Sequence, residues 1–344
     1  MRSRAGGYLP SFALERQYKQ HTAPAHSVCM GSRPLMFASA SWDATVQIYD
    51  LSAGQAPEKP YRTIDGKTDG KGEMQGIYAV ALAKTADHVL GCATVDKSVH
   101  LWDIRTGGLL QSFANAHGDE VNDIDFHYAQ DVMVTVSDDK TAIIWDFREG
   151  SALRKLDHHS KEVYGACFLG EEHQYCVATC SFDKTTKIVD MRDKSVVRKL
   201  EGHQDDIIGI DYISSKSGGM LATGSDDGYV HIWCTKTWTM LHKLDSKEID
   251  EIIQAGRKKD SQSQNEVKRV KFSSDGNMIA AGCSTGVVQI WSGLNTGNVV
   301  PFQTLRGHTD CVFDVCFGKD PVSGAEILVS SSHDWSSILW RQSK

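Results

Sequence analysis

Three groups of side chains carry the residue types of a hydrolase triad. His117, Ser137 and Asp139 form one, His203, Ser225 and Asp227 a second, and His308, Ser332 and Asp334 a third. Brought together, such a set could pass a proton from serine to histidine while the aspartate holds the imidazole in one tautomer, giving an acyl-accepting nucleophile. Their multiplicity argues against that chemistry. Each set is followed at the same offset by a tryptophan, Trp145, Trp233 or Trp340, and three equal copies are poor support for one active centre. No residue is assigned a catalytic role.

The elements that must position these residues form a repeat. Turn-type residues recur at Asp43, Asp96, Asp139, Asp183, Asp227, Thr285 and Asp334, at intervals of 43 to 58 residues. In the best copies an Asp is followed by β-prone residues and then Trp-Asp, as at 96–103 and 139–146. Segments 121–126, 163–168 and 312–317 alternate at period two, as strands do. Residues 221–225, Leu-Ala-Thr-Gly-Ser, are small enough for sheets to approach closely. A period near 43 with strand alternation predicts one four-stranded blade per repeat and seven blades along the chain. A lone blade cannot bury both faces, so the ring must close.

These motifs resemble the WD40 β-propeller family over nearly the whole chain. Gly202-His203 and Gly307-His308 stand at repeat starts, Trp102-Asp103 and Trp145-Asp146 at repeat ends. The resemblance implies an all-β, seven-bladed WD40 propeller as a single domain over 1–344, with strands a to d running outward. It places the Gly-His in the d–a loop and the Asp in the b–c turn, both on the top face. It also implies a structural Asp-His-Ser-Trp tetrad, since a buried carboxylate and a buried indole N–H each need a partner. Copies depart from it: Ile64-Asp65-Gly66-Lys67 lacks the His in blade two, Val189 and Tyr49 replace Trp in blades four and one, and Cys283 and Thr285 replace Ser and Asp in blade six. Those four blades are expected to be the looser ones. The last repeat has three strands before the sequence stops, so residues 14–20 are expected to supply the fourth and close the ring.

Segments 66–75 and 246–266 are expected to be insertions on the top face, the second with a short helix from Ile249, Ile252 and Ile253. Gly66-Lys67-Thr68 is not a phosphate loop, because Tyr61 stands where the first Gly is needed. Top-face loops and the residues preceding each turn Asp are the candidate interaction positions. Among them are Trp42, Phe182, His333, Asp138 and Asp226. Trp42 and Phe182 either pack on neighbouring loops or form interface anchors. Acidic residues after the Gly-His points, Asp119, Glu120, Glu162, Asp205, Asp206 and Asp310, read either as a solvated surface or as a rim suited to a basic peptide.

A further motif points to the bottom face. Trp102-Asp103-Ile-Arg105, Trp145-Asp146-Phe-Arg148 and Val189-Asp190-Met-Arg192 resemble the W-D-x-R signature of substrate receptors of cullin-4 ubiquitin ligases, in which the Arg lies near the DDB adaptor. The same Arg105, Arg148 and Arg192 could instead pair locally. With a net charge of -7 there is no basic footprint for direct nucleic-acid binding. No apolar stretch suggests membrane insertion or a secretory leader, and nine cysteines without a C-x-x-C pair read as reduced packing thiols. The expectation is a cytoplasmic, possibly nuclear, monomer within a larger complex: a non-catalytic scaffold binding proteins or peptides, without a cofactor or metal. The ligase receptor is the alternative. An enzyme would require a polar pocket with perturbed titratable groups at the central channel.

Overall fold

The computed structural model describes residues 11–32, 35–52, 56–66, 75–214, 218–246, 265–320 and 322–343. The interiors of segments 66–75 and 246–266, including the expected helix, lie outside the described residues. Seven antiparallel sheets of four strands each form the blades. Six take their strands in chain order, as in blade three: Val121–Phe126, Val132–Ser137, Ala142–Asp146 and Ser151–Leu156. The seventh is mixed. Strands Val312–Lys319, Glu326–Ser332 and Ser337–Gln342 are joined by the amino-terminal strand Phe12–Tyr18, which pairs antiparallel with Ser337–Gln342.

The closing strand lies two residues before the expected 14–20. The anchors explain the shift: Phe12 and Tyr18 at its ends are buried, whereas Lys19 and Gln20 already run into the loop. At about 1.5–3 kcal/mol for each large apolar side chain buried, these two rings are a substantial part of what shuts the ring. Ser39 of blade one and Ser337 of blade seven add a buried hydroxyl pair across the same seam at 2.7 Å.

The hydrophobic core is divided into seven clusters, each between two neighbouring blades. Phe37 and Tyr49 of blade one meet Tyr18, Ile327 and Leu339 of blade seven across the seam, and Val134, Ile144 and Leu156 of blade three meet Val163, Phe168 and Val177 of blade four. Each interface is local, and only closure makes every blade two-sided.

One irregularity is common to every blade. The a–b register shifts after the first residue of strand a, at Ala25/Ser27, Ile77/Ala79, Val121/Asp123, Val163/Gly165, Ile207/Gly209, Val267/Arg269 and Val312/Asp314. Such a bulge bends the strand and re-aims a side chain. Its effect is that simple alternation fails here: the second and third residues, then the fifth, face the central channel, while the first, fourth and sixth join the inter-blade core.

Candidate interaction surface

The three triad-like sets are hydrogen-bond relays, with one member corrected. His117 Nδ1 lies 3.1 Å from Asp139 Oδ2, but its Nε2 meets Thr135 Oγ1 at 2.8 Å, and Trp145 Nε1 donates to that same hydroxyl at 2.9 Å. His203, Asp227, Thr223 and Trp233 repeat the arrangement, as do His308, Asp334, Ser330 and Trp340. The expected Ser137, Ser225 and Ser332 are not the linking hydroxyls. Register gives the reason: Trp145 sits opposite Met133, four residues below Ser137 but only two from Thr135. At about 3.4 Å per residue, Ser137 is out of reach of the indole. It ties the loops instead, its Oγ donating to Asp119 O at 3.1 Å and accepting from the Asp139 amide at 3.0 Å. Ser225 and Ser332 do the same through Asp205 O and Asp310 O.

One proton arrangement satisfies the whole relay. The indole N–H donates to the hydroxyl, the hydroxyl to Nε2, and Nδ1–H to the carboxylate. Burial opposes the Asp139 charge, but His117, Thr141 and the Gly118 amide outweigh it and hold the carboxyl far below the usual range. A hydroxyl flanked by an indole donor has no path to a substrate, so these groups serve the fold. Blades one and four keep the histidine–aspartate bond and hydroxyl without the tryptophan, through His21, Asp43 and Ser39 and through His159, Asp183 and Thr179. Blade two has lost its histidine, and the Trp102 indole nitrogen finds no partner among the described residues.

Five of the residues before a turn Asp, namely Trp42, Asp138, Phe182, Asp226 and His333, meet the second residue of a strand a, a position the repeat pattern had not singled out. Trp42 stacks on His26 with centroids 5.7 Å apart and meets Tyr78 edge-on; His26 stacks in turn on Phe313, which His333 contacts edge-on. Phe182 stacks on Tyr164 at 4.8 Å. Both expected aromatics therefore pack on neighbours, while Trp42 also keeps an exposed face. Trp335, held at φ 67° in the blade-seven turn, is a further exposed aromatic that sequence reasoning missed.

The opposite arc of the mouth is acidic. Asp138 accepts from Asn122 Nδ2 at 2.7 Å, and Tyr78 donates to Glu120 at 2.8 Å. Asp226 and Glu266 share Lys268, Asp205 and Asp119 pair with Lys184 and Lys97, and Asp310 pairs with His333 on the aromatic side. Burial pushes Asp226 up to about 6 despite Lys268, and raises Asp138 despite Asn122, with Glu120, Glu162 and Asp119 adding to it. Burial and Asp205 raise Asp206 as well. Between the arcs lies a funnel of about 90 Å³ bordered by His26, Asn122, Tyr164, Ile208, Lys268 and Phe313.

The funnel ends on an ion bridge. Arg269 of blade six, little exposed, reaches across the channel to Asp123 of blade three, with Nη1–Oδ2 at 3.0 Å, and its Nε meets Asp314 of blade seven at 3.2 Å. Gly209 lets the neighbouring strand close in: a Cβ there would lie 3.0 Å from the Arg269 Cα. Below the bridge is a polar cavity of about 330 Å³, lined by Cys29, Cys167, Cys316, Asp125, Asp211 and Lys271 among others. It is a polar pocket with perturbed titratable groups, as an enzyme would require, but among the described residues no base stands beside its thiols. Burial raises all three thiols, Cys29 to about 12, no histidine lines the cavity to act as their base, and Asp123 is held by Arg269.

On the bottom face, Arg105, Arg148 and Arg192 are exposed, yet each is paired. Arg105 grips Asp103 through Nε and Nη2, and Arg192 grips Asp190 likewise. Arg148 meets Asp131 at 2.5 Å. Among the described residues no cluster of three His, Cys, Asp or Glu could hold a metal ion, and no helix is long and apolar enough to cross a membrane.

Seven four-stranded sheets around a plugged channel, tied by imidazole–carboxylate relays between d–a loops and b–c turns, define a β-propeller whose consensus residues are structural. The profile described as "WD domain, G-beta repeat" matches residues 12–50, 107–146, 150–190, 194–234, 258–292 and 299–341, more than half of the chain. The chain belongs to the WD40 family. The matched segments skip 51–106, which holds the blade without its histidine; the structure supplies that seventh blade. Among curated proteins the chain is similar to WD repeat-containing protein 37 of Homo sapiens, 42% identical over 76 residues, and to its Mus musculus counterpart, 40% identical over 76 residues. Both matches span 22% of this chain and 15% of the relative. It is also similar to the nuclear distribution protein nudF of Aspergillus niger, 24% identical over 148 residues, 42% of this chain and 31% of that protein.

Proposed function

We propose that this chain is a non-catalytic scaffold that recognises a protein segment carrying basic residues on its top face, assembling a complex in the cytoplasm. The observation that carries the reading is the mouth itself. An aromatic arc of Trp42, His26, Phe313 and Tyr78 faces an acidic arc of Glu120, Asp138 and Asp226 across a funnel. Aromatic rings supply contact area at small entropic cost, and the acidic arc speeds encounter with a cationic chain. The fold alone does not dictate such a surface.

The experiment is affinity purification from native cells with the unchanged chain and with a Trp42→Ala, Phe182→Ala variant. The variant is expected to lose its main partner while melting within a few degrees of the parent; an unchanged partner set from the folded variant overturns the reading. The ligase-receptor alternative needs Arg105 and Arg148 exposed, and they are, although the guanidinium groups of Arg105, Arg148 and Arg192 are engaged by Asp103, Asp131 and Asp190. It predicts that Arg105→Ala with Arg148→Ala abolishes capture of an adaptor, and the scaffold reading predicts no change.

A further inference from the structure

The cavity beneath the Arg269 bridge is blind at its upper end and continues below into a second space. Lys84, Phe168 and Tyr212 border both the 330 Å³ cavity and an adjoining groove of about 360 Å³ that runs past Tyr128 between the a–b loops on the bottom face. Together they fall in the size range of small-molecule sites. The groove supplies flat apolar walls in Tyr128, Phe168 and Tyr212.

The charges are not evenly available. Asp125 is spent on the Phe168 amide at 3.0 Å and on Lys84 Nζ at 3.1 Å. Asp211 is spent on the Phe272 amide at 2.9 Å and on Lys271 Nζ at 2.9 Å. An ammonium has three N–H donors, and among the described residues Lys84 and Lys271 give one hydrogen bond each, to those aspartates. Exposure follows the same split: the Lys84 and Lys271 side chains are 49% and 34% accessible, against 19% for Asp125 and 16% for Asp211. Lys271 lines the cavity, so surface that it shows belongs to the cavity wall. Glu171 on the groove and the Asp123–Arg269 pair at the top of the cavity complete the charged lining, so what an entering molecule finds is the unused N–H donors of Lys84 and Lys271.

We propose that this cavity and groove bind a small molecule with a single carboxylate and a flat apolar body, the carboxylate received by Lys84 and Lys271 and the body lying against Tyr128, Phe168 and Tyr212. One negative charge strains the site less than two. The two lysines are already balanced by two aspartates and Glu171 lies on the groove, so every entering negative charge is opposed and a dianion such as phosphate is opposed more than a single carboxylate. A neutral ring leaves the lysine donors unused.

Three probes separate these features on the full chain by saturation-transfer NMR and calorimetric titration: phenylacetate, benzyl alcohol and inorganic phosphate. Phenylacetate is expected to bind, and the other two at least tenfold more weakly. Lys84→Gln, a change at a half-exposed position that leaves the fold in place, is expected to weaken phenylacetate about tenfold, the loss of one charge-assisted hydrogen bond. Tyr128→Ala is expected to weaken it several-fold, and Trp42→Ala, on the other face, not at all. The proposal is overturned if phenylacetate does not bind, if benzyl alcohol or phosphate binds as well, or if Lys84→Gln and Tyr128→Ala leave its affinity unchanged.

Discussion

Above and below Arg269 the same seven innermost strands build two different surfaces. The upper mouth takes its character from second-position residues of strand a, His26, Asn122, Tyr164, Ile208, Lys268 and Phe313, around a funnel of about 90 Å³. The lower cavity takes its character from fifth-position residues, three thiols, two aspartates and Lys271, around a space of about 330 Å³. The repeat motif does not distinguish these halves. What separates them is one bulge per blade and one arginine that crosses the channel. Consensus residues therefore specify the ring, and the residues that vary at channel positions specify what the ring can recognise.

The strongest way to break this separation is to remove the plug. Arg269→Met leaves Asp123 and Asp314 buried without their cation, which typically costs about 3–5 kcal/mol. A denaturant titration is expected to show that loss as a lower midpoint; an unchanged midpoint means that the halves are not divided by the bridge.

A smaller effect sharpens the comparison through pH. Burial lowers His26, in the upper mouth, to about 4, and no histidine lines the lower cavity. Because the folded value lies below the unfolded value of about 6.5, the neutral ring's contribution is complete above pH 6.5 and falls away as pH drops toward 4. At pH 5 the loss is at most about 2 kcal/mol. His26→Phe should therefore show a shallower fall in stability between pH 7.5 and 5 than the parent, and parallel curves would remove His26 from the account.

The smallest effect concerns charge at the mouth. Asp226, raised to about 6 chiefly by burial, is ionised above that pH and protonates below it. Affinity for a cationic partner is expected to weaken a few-fold from pH 7.5 to 5.5, and Asp226→Asn should flatten that dependence while leaving phenylacetate binding in the lower cavity unaltered. A partner whose affinity rises on acidification contradicts an acidic arc.

Much of the ring was legible because its signals are periodic. Turn aspartates, Trp-Asp endings and period-two strands mark blades whatever surrounds them, and the closing strand could be placed within two residues. The linking hydroxyl was not legible: Thr135 and Ser137 share a strand face, and only the register with Trp145 chooses between them. The channel lining escaped for the related reason that a bulge interrupts alternation, so Tyr78 and Phe313 read as ordinary strand residues. The Arg269 bridge joins residues 146 apart in sequence, and no local pattern encodes such a pairing. Trp42 shows the limit from the other side, since its position was legible and its stacking on His26 was not.

The central claim is that recognition occurs at the upper mouth, and a photocrosslinking amino acid placed singly at two sites tests it most directly. One site is His333, exposed beside Phe313, and the other is Val322, exposed in an a–b loop on the bottom face. The account predicts that the principal cellular partner is captured from position 333 and not from 322. Capture from 322 with none from 333 would contradict it.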